Sequence, residues 1–366
     1  MHSKTTTETF RQALNICNRF IPLRPSLPVL ANIKIESQKT KLILTATNLE
    51  NSIIVETPSS GELWETTVPA KLLVEFLNLV KSSETKIDFS KEKLDLNCND
   101  AQGSFNTIAS SEFPKISSEK KEGINIAQRD LQTAVQNIVF AASADEGKPV
   151  LNGVLLRTQS SKTILVATDS YRLAKYQLKE DYNLADTIVP ARALSEAIKI
   201  AGELGEETVT LSVSPENNQL FVSGESFQIA TRLIDGVYPA FDQIIPTSFV
   251  CEVTVAKDAF VPAVKQAAVF ARDTGNVVKL FITKKTGVKI WASTKQVGEG
   301  TTNVPAEVSG EDIEAAFNSH FLLEGLEAIN GKEVKLKLSG SLKPALIVGE
   351  ADKSFDYIVM PVKPQN

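Results

Sequence analysis

The residues able to do chemistry are few, and the most suggestive of them stand together. Thr168-Asp169-Ser170 interrupts an apolar run, Leu165-Val166-Ala167, and Tyr171 and Arg172 follow before the chain turns apolar again. A carboxylate, hydroxyls and a guanidinium at the end of a strand are parts from which an acid–base loop is built. They are also parts from which a surface that grips a partner without turnover is built. The enzyme reading makes Asp169 or Asp235 the acid or base, and it lacks support. There are two histidines, His2 and His320, and the second falls in an apolar helical segment, the usual setting of a packing or surface histidine. Neither GxGxxG nor GxxxxGK[ST] occurs, so no standard phosphate cradle is expected. The acids of "TRLIDGVYPAFD" and "KEDYNLAD" lie on opposite sides of turn residues with no partner pattern in the sequence and read as solvated loops. Cys17, Cys98 and Cys251 are widely spaced, with no CxxC pair, which fits a reducing cytoplasm. No metal and no cofactor is expected.

The elements that position these residues repeat. "LPVLANIKI" (27–35) lies over "KPVLNGVLL" (148–156) at a shift of 121. The same shift lays "LTATNLENSI" (44–53) over "LVATDSYRLA" (165–174) and "VPAKLLVEFLNLV" (68–80) over "VPARALSEAIKIA" (189–201). "SFNTIASSEFP" from Ser104 lies over "SFQIATRLIDGVYP" from Ser226 at 122. The last third is fainter: "NVVKLFITK" follows a helical run as "LANIKIESQ" does, "AFNSHFLLEGLEAI" places Glu324 where Glu75 and Glu196 fall, and "SFDYIVMPV" resembles the Ser-Phe segments. A fixed period of this kind signals a repeat architecture. It also weakens the enzyme reading, because Asn48 takes the position of Asp169.

Each unit reads alike. An amphipathic helix opens it: Phe10, Ala13, Leu14 and Cys17; then Leu131, Val135, Ile138 and Val139; then Phe260, Val264, Ala267 and Ala271, with Pro262 expected in the first turn. Short alternating strands follow, such as "KLILTATN" and "TVTLSVSP". A second helix opens at Val-Pro-Ala, with proline in its first turn, and more strands close the unit. The expected fold is α+β: three units, 1–121, 122–247 and 248–366, each two helices on an antiparallel sheet. Short linkers argue against independent domains on a string. Units that pair edge to edge extend one sheet, and a closed ring removes the exposed edges. No apolar run is long enough for a membrane span, and "MHSKTTTETF" has no signal-peptide core.

Charge is unevenly spread. Six segments read as helical (8–24, 68–81, 128–141, 189–201, 257–272 and 313–326) carry a net +4 against −5 for the whole chain, leaving −9 elsewhere. A basic helical lumen in an acidic shell would hold phosphates weakly and without sequence preference, as a sliding ring requires.

These residues resemble a known family, the bacterial sliding clamp or β subunit of DNA polymerase III. The resemblance is carried by "RPSLPVLANI" (24–33), "ATDSYRLA" (167–174), "LIDGVYPAFDQIIP" (233–246) and "YIVMPVK" (357–363), in order along the full chain. It implies the DNA clamp fold, closed into a ring as a head-to-tail homodimer whose helices line a hole holding duplex DNA, with no catalytic activity. It implies a cytoplasmic, nucleoid-associated processivity factor that tethers the DNA polymerase III α subunit and other polymerases through short linear peptides, and that a clamp-loader ATPase opens. The peptide cleft, between the second and third units, would use Leu151, Thr168, Tyr171, Arg172, Leu173, Pro239, Ile244, Asn318, Phe321, Leu342, Met360, Pro361 and Val362. Apolar side chains there would take the partner's Leu and Phe, while Arg172 and Asn318 would meet backbone carbonyls or a glutamine. Candidates facing DNA are Arg24, Lys71, Lys148, Arg192 and Lys199; candidates at the dimer boundary are Phe105, Val269 and Phe270. Ser170-Tyr171 departs from the family's common Gly-His, which bears on the shape of the cleft. The alternative is a peptide-binding scaffold that forms no ring.

Overall fold

The computed structural model describes residues 1–99, 101–116, 122–294, 298–350 and 352–363. The chain divides into two compact units, one of residues 1–129 with 196–233 and the other of 130–195 with 234–366. The first expected boundary, at 121/122, abuts residues 117–121, which lie outside the described residues.

The first unit holds two antiparallel sheets. One has five strands in the order 60–61, 2–6, 84–90, 93–98, 102–106. The other has eight, in the order 124–127, 208–214, 219–223, 227–232, 51–58, 41–47, 32–37, 64–69. Its helices are α1 (Thr7–Asn18), α2 (Ala70–Leu79) and most of α4 (Ala191–Glu203). The second unit repeats the plan. Nine strands run in the order 187–190, 153–159, 162–168, 172–177, 355–359, 345–349, 333–338, 251–256, 307–310, and four in the order 298–304, 287–294, 277–283, 313–318. Its helices are most of α3 (Gln128–Ile138), α5 (Lys257–Ala268) and α6 (Ser319–Ala328).

Local sequence explains these elements. In "KLILTAT" the alternate Leu42, Leu44 and Ala46 are fully buried, as a half-buried strand requires. Phe10, Ala13, Leu14 and Cys17 form the buried face of α1, and Thr6 caps it by accepting from the Thr9 amide. Removing Phe10 and Leu14 from water contributes about 2 kcal/mol each.

Long-range pairing makes each large sheet continuous across two repeats. Strand 227–232 pairs with 51–58, placing Phe227 opposite Val55. Strand 355–359 pairs with 172–177, placing Phe355 opposite Tyr176. Val55 and Tyr176 are 121 apart, so both joins keep one register.

Three local expectations are corrected. Ile313–Asn318 is a strand, and α6 begins only at Ser319, because Asn318 is extended and its side-chain oxygen caps the helix by accepting from the His320 and Phe321 amides. In the Val-Pro-Ala segments the prolines end strands 64–69 and 187–190 and the helices start at the alanines, since a missing N–H is tolerated at a sheet edge. Pro262 stands inside α5, beyond its first turn. It occupies the exposed face, where water can satisfy the carbonyl it leaves unbonded.

Candidate functional site

The Thr168–Arg172 turn is built by its own side chains. Thr168 Oγ1 donates to the Arg172 carbonyl at 2.5 Å and accepts from the Ser170 amide. Asp169 Oδ1 accepts from the amides of Tyr171 and Arg172 at 2.8 and 3.0 Å. This double turn requires Ser170 to adopt a left-handed φ of 84°. With Oδ1 holding two amides and Oδ2 accepting from Arg172 Nε at 3.0 Å, the Asp169 carboxylate is committed to structure rather than poised as a base.

Arg172 is 9% exposed at its side chain. Besides Asp169 it donates to Glu324 of α6 through Nη1 and to the Phe140 carbonyl at 2.6 Å through Nη2. Its guanidinium carbon lies 4.4 Å from the centre of the Phe321 ring and 5.5 Å from that of Phe140. Burial opposes the charge, but the Glu324 and Asp169 carboxylates beside it favour it, and the group stands above the ordinary arginine range. Each of its three nitrogens donates within the chain, which leaves one N–H on each Nη for the partner carbonyl expected there. Asn318 is partly committed too, its oxygen capping α6.

Behind the turn lies an apolar cluster of Leu155, Ile164, Val166, Leu173, Ile188, Tyr238, Phe241 and Ile358, with Val150, Ile234, Ile245 and Leu346 packed against it. Tyr238 donates to the Val166 carbonyl at 3.3 Å, and burial pushes its phenol well above the usual range. Tyr357, raised likewise by burial, donates to the Phe321 carbonyl.

Thus Thr168, Arg172, Leu173 and Leu151 are buried, Asn318, Phe321, Met360, Pro361 and Val362 are half-buried, and Tyr171, Pro239, Ile244 and Leu342 are exposed. Several are directly joined: the Met360 amide donates to the Tyr171 carbonyl at 2.9 Å, the Val362 amide to that of Ala316 at 2.7 Å, and the Tyr171 ring lies 22° from parallel to Phe321 at 6.4 Å. Sequence reasoning missed Phe140, which lies 32 residues from Arg172 and touches it only through the fold. Glu324 was marked by its place in the repeat, without its partner.

Arg24, Lys71, Lys148, Arg192 and Lys199 are all exposed. Lys71 and Arg192 are the second residues of α2 and α4; Lys199 has a contact of 4.0 Å with Glu203. Phe105 is on strand 102–106, an edge of its sheet, and meets Phe76 edge to face at 5.6 Å. The half-exposed Phe76 and exposed Leu72 and Leu79 extend this apolar surface along α2 and were missed. Their i, i+4, i+7 spacing was the available signal. Phe270 covers Gly300 of strand 298–304, also a sheet edge: a Cβ there would lie 2.4 Å from the ring. Val269 is 55% exposed.

Among the described residues no group of three or more His, Cys, Asp or Glu could hold a metal ion, and no helix is long and apolar enough to cross a membrane.

Comparison with known proteins supplies the family. Residues 1–117, 125–240 and 242–363 match, in turn, the N-terminal, central and C-terminal domains of the DNA polymerase III beta subunit. The chain is 28% identical over 364 residues to the Beta sliding clamp of Synechococcus elongatus, covering 96% of each chain. It is 27% identical over 369 residues to that of Staphylococcus epidermidis, covering 97% of each. The DNA polymerase sliding clamp of Bacillus subtilis shares its fold at a TM-score of 0.94 and 22% identity, and the DNA polymerase III subunit beta of Pseudomonas aeruginosa at 0.92 and 24%, each over 100% of both chains. Three domain matches in order, over nearly the whole length, mean that the chain belongs to the DNA polymerase III β subunits, the bacterial sliding clamps.

Proposed function

We propose that the chain is a non-catalytic processivity clamp of three units, 1–121, 122–247 and 248–366. Two copies close head to tail around duplex DNA and tether the polymerase III α subunit and other polymerases by short peptides, after a clamp-loader ATPase opens the ring. One observation carries this. Inside the chain, a strand carrying the Phe of a Ser-Phe pair twice completes the sheet of the preceding repeat: Phe227 joins 51–58 and Phe355 joins 172–177. The third such strand, 102–106 with Phe105, and the third acceptor type, 298–304 beside Phe270, are left as open edges. A second copy supplies what each lacks, and a head-to-tail pair leaves neither edge bare. Phe105, Phe76, Val269 and Phe270 would then be covered by the partner.

Closure makes the hold on DNA topological, so exposed Arg24, Lys71, Lys148, Arg192 and Lys199 need provide only weak, salt-screened phosphate contacts. The peptide cleft is assigned to the turn at Thr168–Arg172, the apolar cluster behind it, Phe321 and the Met360–Val362 tail. Apolar anchors enter there, while Arg172 stiffens the rim.

The test compares retention on closed and linearised plasmid after loading. Retention on circles with rapid loss from linear ends is expected. Equal release from both would favour a peptide-binding scaffold that forms no ring. Turnover of a substrate without any partner would return Asp169 or Asp235 to consideration.

A further inference from the structure

The rim of the proposed cleft carries a pair of features that an apolar anchor does not use. Tyr171 is 61% exposed, with its ring set near-parallel beside Phe321. Next to it, Asp169 and Glu324 converge on the single guanidinium of Arg172. One positive charge against two negative leaves one negative charge in excess. It sits on the solvent side: the Glu324 side chain is 43% exposed, that of Arg172 only 9%. Glu324 stands one turn beyond Phe321 on α6, so the Phe321 ring, beside which Tyr171 is stacked, shares a helix face with the carboxylate. Arg172 is held in place, because all three of its nitrogens donate within the chain, to Asp169, Glu324 and the Phe140 carbonyl.

An open aromatic face beside a half-solvated carboxylate is complementary to a planar cation. The ring's quadrupole attracts positive charge. A guanidinium can stack flat on the ring and still direct its N–H fork at a carboxylate, which a compact ammonium does less well. The chain already uses this arrangement one layer in, where Arg172 lies over Phe321 while donating to Glu324.

We propose that the cleft rim binds an arginine side chain that flanks the apolar anchor of the partner peptide, with its guanidinium stacked on the exposed face of Tyr171 and paired with Glu324. Tyr171 is then a specificity-determining residue for peptides and no part of the anchor pocket. This rests on the cleft reading, and the two fail differently.

The experiment titrates the full-length chain with fluorescent peptides sharing one Leu-Phe anchor. Each of the three positions on either side carries arginine, lysine, citrulline or alanine in turn. At one position arginine is expected to bind about three- to tenfold tighter than alanine, with lysine and citrulline between. The gain should persist in Tyr171→Phe, vanish in Tyr171→Leu, and shrink at high salt. Equal affinity for arginine and alanine at every position overturns the inference, as does an arginine preference undiminished in Tyr171→Leu. Failure of every peptide to bind, the alanine series included, overturns the cleft reading itself.

Discussion

The turns Thr47–Asn51 and Thr168–Arg172 have the same backbone and different purposes. In the first, Thr47 Oγ1 donates to the Asn51 carbonyl at 2.9 Å and accepts from Leu49, while Asn48 Oδ1 accepts from Glu50 and Asn51. Each bond has its counterpart at a shift of 121, including a left-handed residue, Leu49 at 76° and Ser170 at 84°. What differs is the packing around the turn. Leu155, Ile164, Val166, Leu173 and Ile188, all in the apolar cluster, stand where the first repeat has Lys34, Ile43, Thr45, Ser52 and Thr67. The clasp differs too. Glu196 and Glu324 are equivalent, but Glu196 is met by Arg19 from the end of α1 and Glu324 by Arg172 from the turn. Phe140 holds the place of Arg19. The repeat preserves the joint, and side-chain exchange puts a buried apolar cluster with an aromatic rim where the first repeat has a largely polar set.

If that contrast is right, truncations should cost unequally. Phe241→Ala empties a fully buried position of the second region's cluster and should lower the unfolding free energy by about 3–5 kcal/mol. The cluster-equivalent change Thr45→Ala in the first region should cost within about 1 kcal/mol, since it removes little apolar packing. Denaturant titration of both variants checks the pair, and equal losses would break the contrast. Next in size is the clasp. Arg172→Ala strands two carboxylates beside a nearly buried site and should cost about 3 kcal/mol, softened by the exposure of Glu324. Arg19→Ala breaks pairs with Glu196 and Glu203 that are about one-third exposed, and should cost about 1 kcal/mol. A reversed order in the same titration would mean that the first seam, not the second, depends on its arginine.

Much of this was legible before any coordinates. Alternation placed strands such as 41–47, the apolar period placed α1, and the 121 shift matched the two turns. The resemblance located Tyr171, Phe321 and Met360 in one neighbourhood. Illegible was whatever depends on contacts distant in sequence. Arg172 reads as a free donor until the fold brings in Phe140 and Glu324, the latter 152 residues away. Ile313–Asn318 reads as helix because its apolar residues suit either period, and only the Asn318 cap divides strand from helix. Pro262 reads as a helix start because sequence does not reveal that its face is solvated.

The two smallest predictions act on the turns themselves. Asp169→Asn keeps an oxygen for the Tyr171 and Arg172 amides, as Asn48 does in the first turn, but turns the oxygen that accepts from Arg172 Nε into an NH2 donor, losing that hydrogen bond together with the charge. Its expected cost is about 1 kcal/mol by denaturant titration, while Asn48→Asp, with Asn51 in the place of Arg172, should gain nothing comparable. A neutral Asp169→Asn would mean that Glu324 alone satisfies Arg172. Smaller still is Ser170→Gly. Glycine relieves a left-handed conformation that costs other residues about 1 kcal/mol, but it adds freedom to the unfolded chain, so a gain of a few tenths of a kcal/mol is expected. Leu49→Gly should gain a similar amount, because Leu49 is 55% exposed and gives up little packing. A matched pair of small gains in thermal melts would mean that the two turns are energetically interchangeable, which leaves the side chains around them as the source of every larger difference. A gain at Ser170 with a loss at Leu49 would mean that the first turn's leucine contributes packing within its own chain that the serine does not, and the two turns would then differ in more than their surroundings.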